Sequence, residues 1–355
     1  MARALQLAER GAYTARPNPM VGCVIAHGDE VVGEGWHVRA GEPHAEPLAL
    51  AAAGERAKGA TAYVTLEPCA HEGRTPPCAP QLIAAGLARV VVACGDPFPQ
   101  VAGQGIAALQ AAGIAVQTGL LETQARELNR GFFSRIQRGR PWVRVKLATS
   151  LDGRTALASG ESKWISSHAS RLDVQRWRAR SGALLTASGT VLKDDPQLTV
   201  RMDDDAAFAP PLRVVLDPGL AIPEGSKVLD ANAPTLLLHA PGARVPQYLR
   251  GRDHAPIPAE GGILLDLQAV LQLLAQRGIN EVLTEAGATV CGGLLKAGLV
   301  DELLLYVVPV LLGAHGKPLF DGWDAATMAQ RFDMEIVEAR RVGTDLRLLL
   351  RPKGR

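Results

Sequence analysis

The sequence predicts a layered α/β protein of two domains. Three observations carry this reading: strand-like apolar runs alternate with helix-like runs along the chain, the alternation breaks and restarts near residue 140, and 355 residues exceed one ordinary domain. No internal repeat relates the halves, so the second domain is not a copy of the first.

Residues 2–11 read as a short helix ended by Gly11. Arg16-Pro17-Asn18-Pro19 leads into an apolar run at 21–26, and His27-Gly28-Asp29 turns the chain into 31–36, a hairpin pattern. Glu42-Pro43-His44 opens an alanine-rich helix to about Ala53, with Pro43 suited to the first turn. A β-branched, apolar run at 61–66 ends at Glu67-Pro68-Cys69. Helix 78–85, strand 89–94, helix 104–112, strand 114–118 and helix 122–131 follow. Arg138-Gly139-Arg140-Pro141 is a charged Gly/Pro break, giving domains 1–139 and 140–355. Residues 142–148 then alternate as a strand, Ser150-Leu151-Asp152-Gly153 is a turn, and 160–164 is a polar loop. Ser167-His168-Ala169-Ser170 caps a helix to about Arg180. Strands are expected near 183–187, 213–216, 235–239 and 281–284, a helix at 267–276, and late strands at 300–308 and 346–350. The Pro- and Gly-rich stretch 241–262 has no assignable pattern.

Composition excludes several classes. At 47% hydrophobic, 21% charged and 4% aromatic, the chain reads as soluble and core-forming. A net charge of +2 without a Lys/Arg run argues against a nucleic-acid partner. No apolar run reaches spanning length, and residues 1–8 lack a signal peptide's apolar centre, so a cytoplasmic location without a membrane partner is expected. Five cysteines, an odd number, do not make a disulfide framework. Cys23, Cys94 and Cys291 have apolar or Gly-rich neighbours and read as core residues. Cys69 and Cys78, in a Pro/Gly-rich loop, are left as the reactive pair.

His44-Ala45-Glu46, Pro68-Cys69 and Cys78 supply one imidazole, two thiols and a nearby carboxylate. Three N/S ligands leave the fourth position of a zinc tetrahedron for water, whose pKa falls to about 7 when bound. H-x-E with a later P-C and second Cys is the signature of zinc nucleobase deaminases. In that chemistry His44, Cys69 and Cys78 are the ligands, and Glu46 is the general acid/base that protonates departing ammonia. The competing reading is a structural zinc site with His71 as fourth ligand, which would have no use for Glu46. The Cys69–Cys78 gap is wider than the usual C-x-x-C.

The wider gap matches one family. Gly73-Arg74-Thr75-Pro76-Pro77-Cys78, Asn18-Pro19-Met20-Val21-Gly22, Gly41 to Glu46 and Thr65-Leu66-Glu67-Pro68-Cys69 resemble the deaminase half of the bifunctional riboflavin-biosynthesis deaminase–reductase. The resemblance implies a cytidine-deaminase-like three-layer α/β/α domain. It implies deamination of 2,5-diamino-6-(5-phosphoribosylamino)pyrimidin-4(3H)-one, with Asn18, His37, His71 and Arg74 holding this substrate. Arg74 suits its phosphate on chemical grounds as well.

In the second half, Glu285-Ala286-Gly287 after a strand opens a small-residue helix start suited to phosphate. Gly103-Gln104-Gly105-Ile106-Ala107-Ala108 fits a dinucleotide fingerprint but does not follow directly on a strand, and reads as a helix start. Residues 146–154, Gly160-Glu161-Ser162, Trp164-Ile165, 190–196, Glu285-Ala286-Gly287 and Val300-Asp301-Glu302-Leu303 resemble the same family's reductase domain. That resemblance implies a dihydrofolate-reductase-like α/β fold, NADPH as cofactor, reduction of the ribosyl group to ribityl, and a homo-oligomer. By position, NADPH would meet Ala148, Trp164, Thr190, Asp194 and the turn Gly287, Ala288, Thr289, Val290, Cys291, Gly292, Gly293. Substrate would meet Ser162, Arg178, Leu198, Arg201 and Glu285. Ala148 stands where the family commonly has Gly, and Asp217-Pro218 where it has Asp-Ser. The runner-up function is a nucleic-acid base deaminase with an accessory domain, which the low aromatic content disfavours.

Overall fold

The computed structural model describes residues 1–73, 75–162 and 165–354. The chain divides into two compact units, Met1–Gly139 with Ala207–Ala209, and Arg140–Ala206 with Pro210–Arg355. Among the described residues, no helix is long and apolar enough to cross a membrane.

The first unit runs α1 (Ala2–Glu9), β1 (Gly22–His27), β2 (Glu30–Trp36), α2 (Ala45–Ala53), β3 (Thr61–Val64), α3 (Cys78–Ala84), β4 (Arg89–Val92), α4 (Gln104–Ala111), β5 (Ala115–Thr118), α5 (Glu122–Leu128) and α6 (Arg130–Arg138). Its sheet has the order β2-β1-β3-β4-β5. β1 is antiparallel to β2 and β3, while β3, β4 and β5 are parallel. Alternate sheet residues Cys23, Ile25, Ala62, Val64, Val90 and Val92 pack with Ala49 of α2, Leu82 of α3 and Leu109 of α4. Leu66, Ala93 and Cys94 instead meet Ala125, Phe132, Phe133 and Leu5, from α5, α6 and α1. The result is three layers.

Two glycines set how closely α2 approaches. A methyl group on Gly33 would stand 2.2 Å from the Ala49 carbonyl oxygen, and one on Gly35 2.3 Å from that of Ala45. Only glycine lets the helix that carries Glu46 lie directly on β2.

Two details differ from the sequence expectation. Pro43 is not in the first turn of α2: His44 is the N-cap, extended at φ −71° and ψ 175°, and Pro47 is the first-turn proline. The helix expected over 122–131 is broken at Asn129, whose side chain exchanges two hydrogen bonds with the Met20 backbone, at 2.7 and 2.8 Å. A second helix then continues to Arg138.

The second unit runs β6 (Trp142–Ser150), β7 (Arg154–Ala156), α7 (His168–Arg180), β8 (Ala183–Ala187), α8 (Ser188–Asp194), β9 (Leu212–Leu216), β10 (Thr235–His239), β11 (His254–Pro256), β12 (Ala259–Glu260), β13 (Leu264–Leu265), α9 (Leu267–Gln276), β14 (Glu281–Thr284), α10 (Ala288–Lys296), β15 (Glu302–Val308), β16 (Lys317–Pro318), β17 (Met334–Val342) and β18 (Asp345–Pro352). Its main sheet has the order β11-β10-β9-β8-β14-β6-β15-β18-β17. The first seven are parallel, and β18 and β17 complete one edge as an antiparallel hairpin. Buried Val and Leu on both faces form two cores, as a parallel sheet covered on both sides requires. Ser167 caps α7 as expected, its hydroxyl accepting from the Ser170 N–H at 3.2 Å. The sequence pattern does not anticipate α8, β11, β17 or the short strands β7, β12, β13 and β16.

Candidate active sites

In the first unit the metal-type side chains converge. His44 caps α2, Cys69 follows β3 in a loop, and Cys78 is the first residue of α3. One ligand atom from each lies within 4.8 Å of the others. His44 Nδ1 is 3.3 Å from Cys78 Sγ and 3.7 Å from Cys69 Sγ. Zinc–nitrogen and zinc–sulfur bonds of about 2.1 and 2.3 Å in a tetrahedron place N and S about 3.6 Å apart. The observed spacings bracket that value, so the three residues fit the ion. Thr75 Oγ1, 3.4 Å from His44 Nε2, occupies the outer side of the ring and leaves Nδ1 to face the sulfurs. The Cys78 side chain and the adjacent His44 bring the Cys69 thiol down to about 4, while Cys69 and burial push the Cys78 thiol up. His71 does not join this cluster, so the four-ligand structural reading has no fourth ligand among the described residues.

Glu46 is 3% exposed and its Oε2 has no hydrogen-bond partner. Desolvation raises its pKa. A buried, unsatisfied carboxylate oxygen beside three metal ligands is what a proton carrier needs and what a structural site lacks. His37 is buried, not a surface histidine. Its Nδ1 lies 3.2 Å from the Pro43 carbonyl oxygen, its Nε2 3.0 Å from Asn18 Nδ2, and its ring meets His44 edge-on at 5.2 Å. Desolvation lowers its pKa, which keeps the ring neutral and lets Nε2 accept from the Asn18 amide. His71 has a buried Nδ1 without a partner. Arg74 lies outside the described residues.

Glu67 performs a task the sequence did not reveal. Its carboxylate accepts from four backbone N–H groups: Asp96 at 3.3 Å, Gly103 at 3.0 Å, Gly105 at 3.0 Å and Ile106 at 3.2 Å. The anion at the N-terminus of α4 is therefore the protein's own. A methyl group on Gly105 would stand 1.8 Å from the Pro68 carbonyl oxygen, so the apparent fingerprint at 103–108 serves packing against the loop that carries Cys69.

In the second unit, Arg178 of α7 and Glu285 after β14 form a bidentate pair at 2.6 and 2.9 Å, and Arg178 also donates to the Thr199 carbonyl at 3.0 Å. Beneath them Lys146 of β6 is half-buried, its Nζ 6.0 Å from the centre of the Tyr306 ring. Burial lowers the Lys146 pKa, with Glu285 opposing that shift. Burial would raise the Glu285 carboxyl, but Arg178, Lys146 and Arg201 together hold it below its ordinary value. Arg201 is exposed.

Leu198 is buried with φ +48°. Ala148 packs in the core opposite Tyr306. Thr190 and Asp194 are half-buried on α8, and Ser162 is half-buried in its loop. Trp164 lies outside the described residues. The turn after β14 makes Gly287 the N-cap of α10, with Ala288, Thr289 and Val290 in its first turn. Cys291 and Gly292 lie inside the helix and are buried, Gly292 so closely that a methyl group would stand 1.8 Å from the Asp321 carbonyl oxygen. Gly293 faces Leu267. Gly292 and Gly293 thus meet protein, while Gly287 and Thr289 are exposed.

Comparison with known families follows the same division. The cytidine and deoxycytidylate deaminase zinc-binding region matches residues 1–94, and the RibD C-terminal domain matches residues 141–348. The riboflavin biosynthesis protein RibD of Escherichia coli (strain K12) is 48% identical over 362 residues, spanning 99% of this chain and 98% of its own. The chain belongs to the RibD family. The RibD protein of Haemophilus influenzae is 45% identical over 364 residues, covering 100% of this chain and 97% of its own. The structure of Acinetobacter baumannii RibD superposes with a TM-score of 0.92 at 46% identity, covering 99% of this chain and 97% of its own. A Thermotoga maritima protein described as a diaminohydroxyphosphoribosylaminopyrimidine deaminase/5-amino-6-(5-phosphoribosylamino)uracil reductase gives 0.87 at 32% identity, with 99% and 97% coverage.

In this RibD chain the sequence reading missed Lys146 and Glu67. Lys146 sits in an alternating strand, where one lysine normally marks a solvent face. Its one signal was its place in the Lys146–Arg154 block. Glu67 looked like a strand end, and no local pattern announces a carboxylate that binds amides some 30 to 40 residues away.

Proposed function

We propose that His44, Cys69 and Cys78 hold zinc, and that Glu46 carries protons between water and the leaving amine, in the deaminase half of this bifunctional RibD enzyme of riboflavin biosynthesis. The observation that carries this is the three-ligand cluster with the unpartnered Glu46 oxygen beside it. Bound zinc supplies a nucleophile at neutral pH by acidifying water. The chain's residues do the rest. Buried Glu46 takes up a proton and gives it to the amino group, which leaves as ammonia. Asn18, oriented by neutral His37, presents its remaining amide groups to the pyrimidine edge, and His71 offers an unsatisfied nitrogen to it. Arg74 is assigned the substrate phosphate.

The second unit, Arg140–Ala206 with Pro210–Arg355, reduces the ribosyl group of the deaminated product to ribityl. Bound NADPH supplies the hydride. Glu285, kept ionised by Arg178, accepts from sugar hydroxyls, and Arg201 answers the phosphate, with Ser162 and Leu198 beside it. Ala148, Trp164, Thr190, Asp194 and the first turn of α10 are assigned to NADPH. Self-association belongs to the same reading: β17 leaves Ile336 and Val337 exposed on a sheet edge, where a second copy can pair. The deciding experiment is one incubation with 2,5-diamino-6-(5-phosphoribosylamino)pyrimidin-4(3H)-one, following ammonia and NADPH together. Ammonia without NADPH oxidation removes the reductase assignment, and absence of ammonia removes the deaminase assignment.

A further inference from the structure

We propose that Lys193 and Lys317 form a recognition site for a phosphate monoester, assembled around Gly160 on the cofactor side of the reductase unit. The proposal rests on the NADPH-dependent reductase reading and extends it to residues that no part of that reading uses.

The geometry is a convergence of cations without an anion. Lys193 projects from α8 between Thr190 and Asp194, and its Nζ donates to the Gly160 carbonyl oxygen. Lys317 comes from β16, which pairs with β7. Both ammonium nitrogens approach the point where a side chain of Gly160 would begin, at 3.0 Å for Lys193 and 3.4 Å for Lys317. Gly160 has φ +87°, where other residues are strained, so its lack of a side chain keeps that space open. Among the described residues neither lysine has a carboxylate at ion-pair distance, whereas Asp195, two residues after Lys193, pairs with Lys227 instead. Arg154, in register with Pro318 beside Lys317, adds a third cation, whose Nε is buried without a partner.

Elsewhere in this unit, cations that gather are matched. Arg140 has Asp301, Arg144 has Glu302, Arg178 has Glu285 and Arg347 has Asp173. Like charges brought together from α8 and β16 repel, and an external anion bridging them relieves the repulsion. A phosphate monoester fits best, because its near-double charge and three oxygens can accept from both ammonium groups. Both ligands of the reductase reaction carry one: the substrate at its ribosyl phosphate, and NADPH at the group that distinguishes it from NADH. α8 carries Thr190 and Asp194, and the loop of Gly160 carries Ser162, so the site adjoins assigned contacts of both ligands.

The test uses the full-length, zinc-loaded enzyme with Lys193→Gln, Lys317→Gln and the double variant. Binding of NADPH and NADH, and KM for the phosphorylated and dephosphorylated aminouracil, are measured against wild type. Ammonia release, catalysed by the other unit, reports that the chain is folded. Loss of one charge-assisted contact weakens binding by about 10-fold or more. If NADPH weakens that much and NADH does not, the site reads the cofactor. If only the phosphorylated substrate weakens, it reads the substrate. Equal effects on phosphorylated and unphosphorylated partners, or no effect, overturn the proposal. Wild-type enzyme that fails to oxidise NADPH would remove the reductase reading itself, whereas active wild type with insensitive variants removes only the lysine site.

Discussion

Glu46 and Glu285 are both carboxylates at helix or strand ends, and their surroundings push them in opposite directions. Glu46 is buried without a cation at bonding distance, so desolvation raises its pKa. Glu285 has Arg178 in a two-pronged bond and the charges of Lys146 and Arg201, which together more than offset the same penalty. The first is suited to moving a proton and the second to keeping its charge. Glu46→Gln keeps shape and removes the proton carrier, so ammonia release should fall by about 10² to 10⁴-fold while metal analysis still finds zinc. Loss of zinc in that variant would make Glu46 a ligand instead. Glu285→Gln leaves Arg178 mostly buried without its counter-charge, at an expected cost of about 3 kcal/mol in urea unfolding. The pH dependence follows in sign. A depressed carboxyl contributes stability above its unfolded pKa, and that contribution is lost as pH falls through the lower folded value, so Glu285→Gln should flatten the acid limb of the unfolding profile. Spacing made the convergence of His44, Cys69 and Cys78 and the place of Glu46 legible, because metal-type side chains and a carboxylate in short motifs leave few other arrangements. Lys146 was not legible as a site residue, because its burial comes from strands far away in sequence.

Elements place these groups through close backbone contact. Gly35→Ala would push a methyl group against the Ala45 carbonyl, one residue from Glu46, and α2 would have to lift off β2. Deaminase activity should fall together with affinity for zinc, measured by chelator competition, while NADPH oxidation of the deaminated substrate is untouched. Alternation and caps identified most of the strands and helices that matter, since apolar period and local turn chemistry act within a few residues. α8 escaped because Ser188-Gly189-Thr190 is a weak helix start that the loop after β8 could equally have explained. β17 escaped for a different reason. It is exposed along most of its length, so it lacks the two-residue alternation of a half-buried strand, and the β18 ladder holds it in place. Pro43 misled because it stands one residue before the cap, a position from which its carbonyl meets His37.

At the scale of the molecule, each unit has its own sheet and cores, and each assigned reaction is built within one of them. Removing zinc with a chelator should therefore abolish ammonia release and leave NADPH oxidation intact when the deaminated substrate is supplied. Parallel loss of both would show that the metal supports the whole chain. The two-domain α/β plan was legible from the break at Gly139 and the restart of alternation, while the nine-stranded width was not, since strand order depends on pairing between distant segments. The brace made by Glu67 has one more consequence. Removing its side chain in Glu67→Gly leaves four inward-pointing amides and a vacancy of carboxylate size, and should destabilise the first unit by about 3 kcal/mol or more. Formate, a free carboxylate small enough to enter, should then restore much of that stability at millimolar concentration while leaving wild type unaffected: a chemical rescue of structure, with an ion standing in for a side chain.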